Sequence, residues 1–161
     1  MTPQPPRVVF DCNIFVQMVL NPNGAAGACR KLVESGAVTL FVSEAILAEV
    51  ADVLSRPRFR KLVPDLTCEG IATFVEEIAE MAIPIANVPE EFRYERDPDD
   101  EPYINLALVC DARYVVSLDK DLLDLMKPSY AAGQEFQRRY PMLKVVPPLQ
   151  LLVEIRSTQL Q

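Results

Sequence analysis

The chain contains no histidine, which removes a Ser–His or Cys–His nucleophile, a histidine general base and histidine-ligated zinc. Its four cysteines, Cys12, Cys29, Cys68 and Cys110, stand singly. With no C-x-x-C pair they suggest neither a zinc knuckle nor a redox dithiol, and are expected to be small buried hydrophobes. No apolar run approaches the ~20 residues needed to span a bilayer, and the opening MTPQPPRVVF has no signal-peptide core, so a cytoplasmic location is the default expectation. Positive charge is also in deficit: 16 Lys and Arg against 23 Asp and Glu leave a net charge of -7. That argues against broad, nonspecific attraction to nucleic acid, but leaves room for a local basic patch. There is no internal repeat, low-complexity tract or linker, so residues 1–161 are expected to form a single domain burying roughly 70 per cent of its unfolded surface.

What is present is a series of acids at the junctions of strands and helices. Val8-Val9-Phe10 reads as a short strand, and Asp11 follows at once. Asn13, two residues on, is placed to orient that carboxylate. Taken alone, Asp11 is more simply a cap for the apolar run Ile14 to Leu20. In the segment RDPDDEPYINLALVCDARYVVSLDKDLL, an acidic cluster (Asp97, Asp99, Asp100, Glu101) precedes a helix expected to start near Asp99 or Asp100, because Pro102 is tolerated only in a first turn. Ile104, Ala107 and Leu108 give that helix its apolar face, a turn follows at Asp111-Ala112, and Tyr114 to Leu118 reads as a strand ending at Asp119. In a parallel sheet Asp119 then lies at the carboxyl edge, where open α/β sheets bind ligands. Asp97 or Asp99 alone is an ordinary N-cap.

The remaining segments alternate in the same way. Asn21 to Gly24 is turn chemistry, Ala25 to Glu34 a helix, Val38 to Val42 a strand, and Ser43 caps a helix from Glu44 to about Leu54. On its wheel Ile46, Leu47, Val50, Val53 and Leu54 share one face, with Glu49 at the border, positioned either to face a cleft or to lie on a solvated flank. Ser55 to Lys61 is the dense basic stretch, with Arg56, Arg58 and Lys61 around Phe59. It is either a solvated connector or a place to hold phosphates and stack a base. Thr67 to Ala79 reads as a helix, Met81 to Ile85 as a third apolar segment, residues 127–141 as a helical insertion, Lys144 to Val146 as a last strand, and Pro147 to Arg156 as a last helix with Leu149, Leu152 and Val153 facing in. The alternation predicts a three-layer α/β/α fold with a mainly parallel sheet.

Asp11, Glu49, Asp100 and Asp119 all fall at strand ends or helix borders. Brought together, such carboxylates repel one another unless some take up protons or a cation intervenes. Mg²⁺ or Mn²⁺, hard ions that prefer carboxylate and water oxygens, would remove the conflict and suit in-line phosphodiester hydrolysis, a reaction needing no histidine. Four converging carboxylates would also account for more than half of the net charge of -7.

In order and spacing, VVFDCNIFV, VSEAILAEVADVLSRPRF, DPDDEPYINLALVCDARYVVSLDKDLLDL and VVPPLQLL together resemble the PIN-domain ribonucleases, with a Rossmann-like fold, and in particular the branch that supplies toxins of toxin–antitoxin pairs. The resemblance implies a metal-dependent endoribonuclease, Asp11, Glu49, Asp100 and Asp119 as metal-binding and catalytic acids, Asp121 as a further acid in some members, and Asn13 and Ser43 as accessory polar positions. It also implies an RNA substrate, Mg²⁺ or Mn²⁺, frequent homodimers and a small antitoxin protein that blocks the site. Cys12 stands where Thr is usual, and segment 127–141 is longer than the family's usual connection, which bears on the antitoxin surface. The alternative is a PIN-fold binding module with little or no nuclease activity. A receiver-like domain would need adjacent acids after the first strand, where Cys12 follows Asp11. A haloacid-dehalogenase-like phosphatase would need a second Asp at Asn13.

Overall fold

A computed structural model describes residues 3–160; Met1, Thr2 and Gln161, the ends of the expected 1–161 span, lie outside them. The strands are β1 (Arg7–Phe10), β2 (Thr39–Val42), β3 (Ile83–Pro84), β4 (Tyr114–Val116) and β5 (Lys144–Val146). The helices are α1 (Cys12–Leu20), α2 (Ala25–Glu34), α3 (Glu44–Ser55), α4 (Pro57–Leu62), α5 (Cys68–Met81), α6 (Glu101–Val109), α7 (Lys120–Leu123), α8 (Ala131–Arg139) and α9 (Pro148–Gln159). All strand pairs are parallel, in the order β3-β2-β1-β4-β5, with Val9 opposite Phe41 on one side and Val115 on the other. The β-branched runs of β1 and β4 are buried without alternation, as a sheet covered on both faces requires.

The first two crossovers run from β1 toward β3, and the third reverses to reach β4 on the far side of β1. Right-handed crossovers therefore put the helices between β1 and β3 on one face and α6 on the other, giving the expected α/β/α layers. They also leave a switch point between β1 and β4, where a ligand crevice opens at the carboxyl edge. α3 packs on α5, α2 on α9, and α6 against β1, β2 and β4.

Local signals account for most boundaries. Ser43 Oγ accepts from Ile46 N–H and Thr67 Oγ1 from Gly70 N–H, capping α3 and α5. Asp111, at φ 55°, makes the left-handed turn from α6 to β4. Buried Asn105 on α6 accepts at Oδ1 from the N–H groups of Glu91 and Phe92, and Glu101 accepts from Tyr94 N–H, so the acidic loop after β3 is pinned beside α6.

Several expectations are corrected. β4 ends at Val116, not Leu118: Ser117 N–H makes one last bond to Val146 C=O, and the chain then turns, leaving Leu118 exposed. The third apolar segment is a two-residue edge strand, because Pro84 has no N–H to extend it. The basic stretch contains a short helix, α4, started by Pro57 at a first-turn position, with Arg58, Arg60 and Lys61 exposed. On α9 the buried residues are Pro148, Leu151 and Ile155, whereas Leu149 and Val153 are exposed. Anchoring at Pro148 selects the neighbouring helical stripe. Cys12, Cys29 and Cys110 are buried as expected, but Cys68, at the start of α5, is exposed.

Candidate metal centre

β1 delivers Asp11 to the crevice in extended conformation, as the N-cap of α1. The cap and the site are the same residue: Oδ1 accepts from Cys12 N–H at 2.7 Å, while Oδ2 accepts from Ser117 Oγ–H at 2.6 Å and from Asn13 Nδ2–H at 3.2 Å. Asn13 Oδ1 in turn accepts from Leu118 N–H at 3.3 Å, and Ser117 Oγ accepts from Asp119 N–H at 2.9 Å. The ends of β1 and β4 are thus stitched together by side chains, and Asn13 orients Asp11 as its spacing implied.

A 3-10 turn, Pro98–Asp100, precedes α6. Asp97 caps it through Asp99 N–H at 3.1 Å, and Asp100 is 5% exposed with Oδ2 lacking any hydrogen-bond partner among the described residues. Glu49, half-buried on α3, accepts the phenolic proton of Tyr103 on α6. Asp119 caps α7 through Asp121 N–H. The result is an open cavity of about 260 Å³ lined by the acids Asp11, Glu49, Asp97, Asp99, Asp100 and Asp119. Cys12, Val16, Val53, Phe59, Asn13 and Tyr103 complete the lining. The structure therefore brings Asp11, Glu49, Asp100 and Asp119 onto one cavity from four separate parts of the chain.

Asp97, Asp100 and Asp119 of this lining, with Asp121 beside them, each place one carboxylate oxygen within 4.8 Å of the others'. Asp11 and Glu49 border the same space outside that set. Burial, followed by the charges of Asp119, Asp97, Asp11 and Asp121, pushes the Asp100 carboxyl up to about 8. Burial pushes Asp11 to about 6, with Asp119 and Glu49 adding to the rise and the hydrogen bonds from Ser117 and Cys12 opposing it. Asp97 is raised by burial and then by Asp119 and Asp121. Without a cation this arrangement holds protons to higher pH than ordinary carboxylates do, and at Asp100 past neutrality. An all-oxygen donor set, mutual repulsion and an unpartnered buried oxygen together fit a hard divalent ion. Burial also pushes the Cys12 thiol to about 12, so it is no thiolate nucleophile.

Other predicted residues sit differently. Ser43 lies outside this cavity, on a separate groove of about 620 Å³, with its hydroxyl occupied as the α3 cap. Asp121 reaches the carboxylate set, but its Oδ1 also accepts from Arg96 Nε–H at 2.6 Å. Arg56, Arg58 and Lys61 are exposed around α4; Arg56 pairs with Asp52 at 2.9 Å, and Phe59 turns toward the cavity. Sequence reasoning passed over four contributors. Asp97 was assigned only as a cap, which it also is. Ser117 lay inside the assumed strand; its position two residues before Asp119 was the available signal. Tyr103 lay among the apolar helix residues and carried no signal. Arg96 binds both Asp121 and Asp124, the latter at 2.8 Å, and stacks 5.2 Å over the Tyr130 ring, a junction visible only in three dimensions.

Two comparisons bear on this site. The PIN domain family model matches residues 7–121, which include every acid of the cavity wall. A protein of Methanocaldococcus jannaschii, named "Uncharacterized protein MJ1680", is 29% identical over 119 residues, covering 74% of each chain.

Proposed function

Because the chain belongs to the PIN domain family, whose members are typically metal-dependent nucleases, we propose that it is a Mg²⁺- or Mn²⁺-dependent endoribonuclease that hydrolyses RNA phosphodiester bonds. The observation that carries this reading is the buried, unpartnered oxygen of Asp100 within a wall of carboxylates that opens to solvent at the switch point. Asp100 and Asp119, with Asp97, would hold the cation; Asp11 and Glu49 complete the acidic wall, and Asp121 adds charge shared with Arg96. Bound there, a divalent cation supplies Lewis-acid stabilisation to the scissile phosphate and acidifies the attacking water. Asn13 and Ser117 keep the Asp11 carboxylate in one orientation, and Tyr103 does the same for Glu49. Arg56, Arg58 and Lys61 flank the cavity as cations for the RNA backbone.

The same reading makes the chain a single PIN domain, residues 1–161, with 127–141 as an insertion, acting in the cytoplasm as the toxin of a toxin–antitoxin pair. Exposed Leu149 and Val153 on α9 are apolar surface that supports a homodimer contact. The site's test is cleavage of a mixed pool of structured and single-stranded RNA in Mn²⁺, Mg²⁺ or EDTA, with Asp100→Asn in parallel. Metal-dependent cutting that the variant loses by at least about 100-fold is expected. Calorimetric metal binding without any cutting would move the protein to the binding-module alternative, and absence of metal binding would overturn the centre itself.

A further inference from the structure

The clustered acids of the candidate centre arrive from two parts of the fold. Asp97 and Asp100 belong to the turn before α6, whereas Asp119 and Asp121 belong to the start of α7. A divalent ion held between them needs the two pairs at a fixed separation, since Mg²⁺ takes its oxygens at about 2.0–2.1 Å with little tolerance. Arg96 stands next to Asp97 in the chain and donates from Nε to Asp121 Oδ1 at 2.6 Å, linking one pair to the other. Tyr94, buried in the same loop, donates from its hydroxyl to Asp121 C=O at 2.6 Å. The side chain and the main chain of Asp121 are therefore both held from one loop. Asp121 passes the restraint on, because its N–H donates to Asp119 Oδ1 at 2.9 Å.

Arg96 is itself fixed by further contacts. Its Nη2 donates to Oδ2 of buried Asp124 at 2.8 Å, Lys127 Nζ binds the other oxygen of Asp124 at 2.9 Å, and the guanidinium lies 5.2 Å over the Tyr130 ring. Lys127 and Tyr130 belong to segment 127–141, so the long connection after α7 braces the arginine. Charge alone gives no reason for this arrangement, because a guanidinium near a divalent cation repels it. Resting on the metal centre of the reading above, we propose that Arg96 is a positioning residue that holds Asp119 and Asp121 at the separation from Asp97 and Asp100 that a bound cation requires. It acts through Asp121 and is not a ligand. Its planar fork bridges two carboxylates at once, which the single ammonium of a lysine in its place does not reproduce.

The test is calorimetric titration of the intact chain, stripped with EDTA and dialysed free of it, with MnCl₂. Wild type, Arg96→Lys and Arg96→Gln are compared, and a melting curve in EDTA shows that each is folded. The expected result is that both variants bind Mn²⁺ at least about tenfold more weakly, the lower end of what losing a partner of a metal ligand costs. The two substitutions separate position from charge. Lys keeps the charge and Gln removes it, so on charge alone Arg96→Lys would bind as the wild type does and Arg96→Gln more tightly. Equal Mn²⁺ binding by Arg96→Lys and wild type, even with lower stability, or binding by Arg96→Gln as tight as the wild type's or tighter, would overturn the positioning role. If Arg96→Gln does not fold, Arg96→Lys decides alone. RNA cleavage in Mn²⁺ by the same proteins separates this from the nuclease reading. Mn²⁺ binding that depends on Arg96, without any cutting, removes the nuclease and keeps the positioning role. Cutting by the wild type, with variants that bind Mn²⁺ equally, removes the positioning role alone, and a wild type that binds no Mn²⁺ overturns both.

Discussion

Asp100 illustrates at a single residue what the site costs the fold. A carboxylate in solution titrates near 3.9, whereas burial and neighbouring acids push Asp100 to about 8 and Asp11 to about 6. Between those limits the metal-free folded chain holds protons that the unfolded chain has already released. Folding stability in EDTA is therefore greatest below about pH 4 as far as these two groups are concerned, and falls as pH rises through about 6 and then 8. Melting temperature measured in EDTA should decline across that window. Asp100→Asn should flatten the decline and raise the melting temperature at alkaline pH by a few degrees, while saturating Mg²⁺ does the same for the wild type. A pH-independent melting curve for the metal-free wild type would mean that the acids do not meet in the folded chain.

At the scale of elements, the segment after α7 is tied to the acidic wall by one arginine. Arg96 grips Asp121 and Asp124 and stacks on Tyr130, Lys127 adds a 2.9 Å contact to Asp124, and the Asp124 carboxyl is lowered by Lys127 and then Arg96. α8 then lies against the 3-10 turn Asp124–Met126, closely enough that a Cβ at Gly133 would stand 2.8 Å from Leu125 O and 3.1 Å from Asp124 O. Both are backbone atoms that cannot swing aside. Gly133→Ala should therefore lower stability by up to about 2 kcal/mol net, the overpacking of about 1–3 kcal/mol being offset by the helix-propensity gain of alanine, about 1 kcal/mol. A shift of the urea midpoint reads this directly, and a more stable Gly133→Ala would mean that α8 is not docked on that turn.

For the whole molecule the relevant quantity is a field of mixed sign. The chain carries a net charge of -7, with six acids lining one cavity and Arg56, Arg58, Arg60 and Lys61 exposed on and beside α4, whose Phe59 lines that cavity. On the proposed ribonuclease reading, RNA binding would depend on these cations, and on salt. Each phosphate contact on a single strand contributes a slope of about -0.7 in log affinity against log salt, so Arg56→Ala with Arg58→Ala should flatten the slope by roughly 1 to 1.5. Arg56 gives the smaller share because Asp52 already holds it. An unchanged slope would mean that α4 does not touch the backbone. Among the described residues no helix is long and apolar enough to cross a membrane.

The sequence by itself determined the alternation of strands and helices, the cap at Ser43, and the placing of acids at strand and helix ends, because these depend on periodicity and on short-range hydrogen bonding. It also carried the exclusion of histidine chemistry and the family motifs around Asp11, Glu49, Asp100 and Asp119. Only the tertiary structure decided which side chains meet. The switch point between β1 and β4 brings Ser117 to Asp11 across 106 positions of chain, α6 sets Tyr103 against Glu49, and Arg96 reaches past the acidic loop to Asp121 and Asp124. It decided, too, that α9 buries Leu151 and Ile155 rather than Leu149 and Val153, and that Phe59 turns toward the acids. These depend on the rotation and docking of each element against neighbours distant in sequence, which local pattern does not encode.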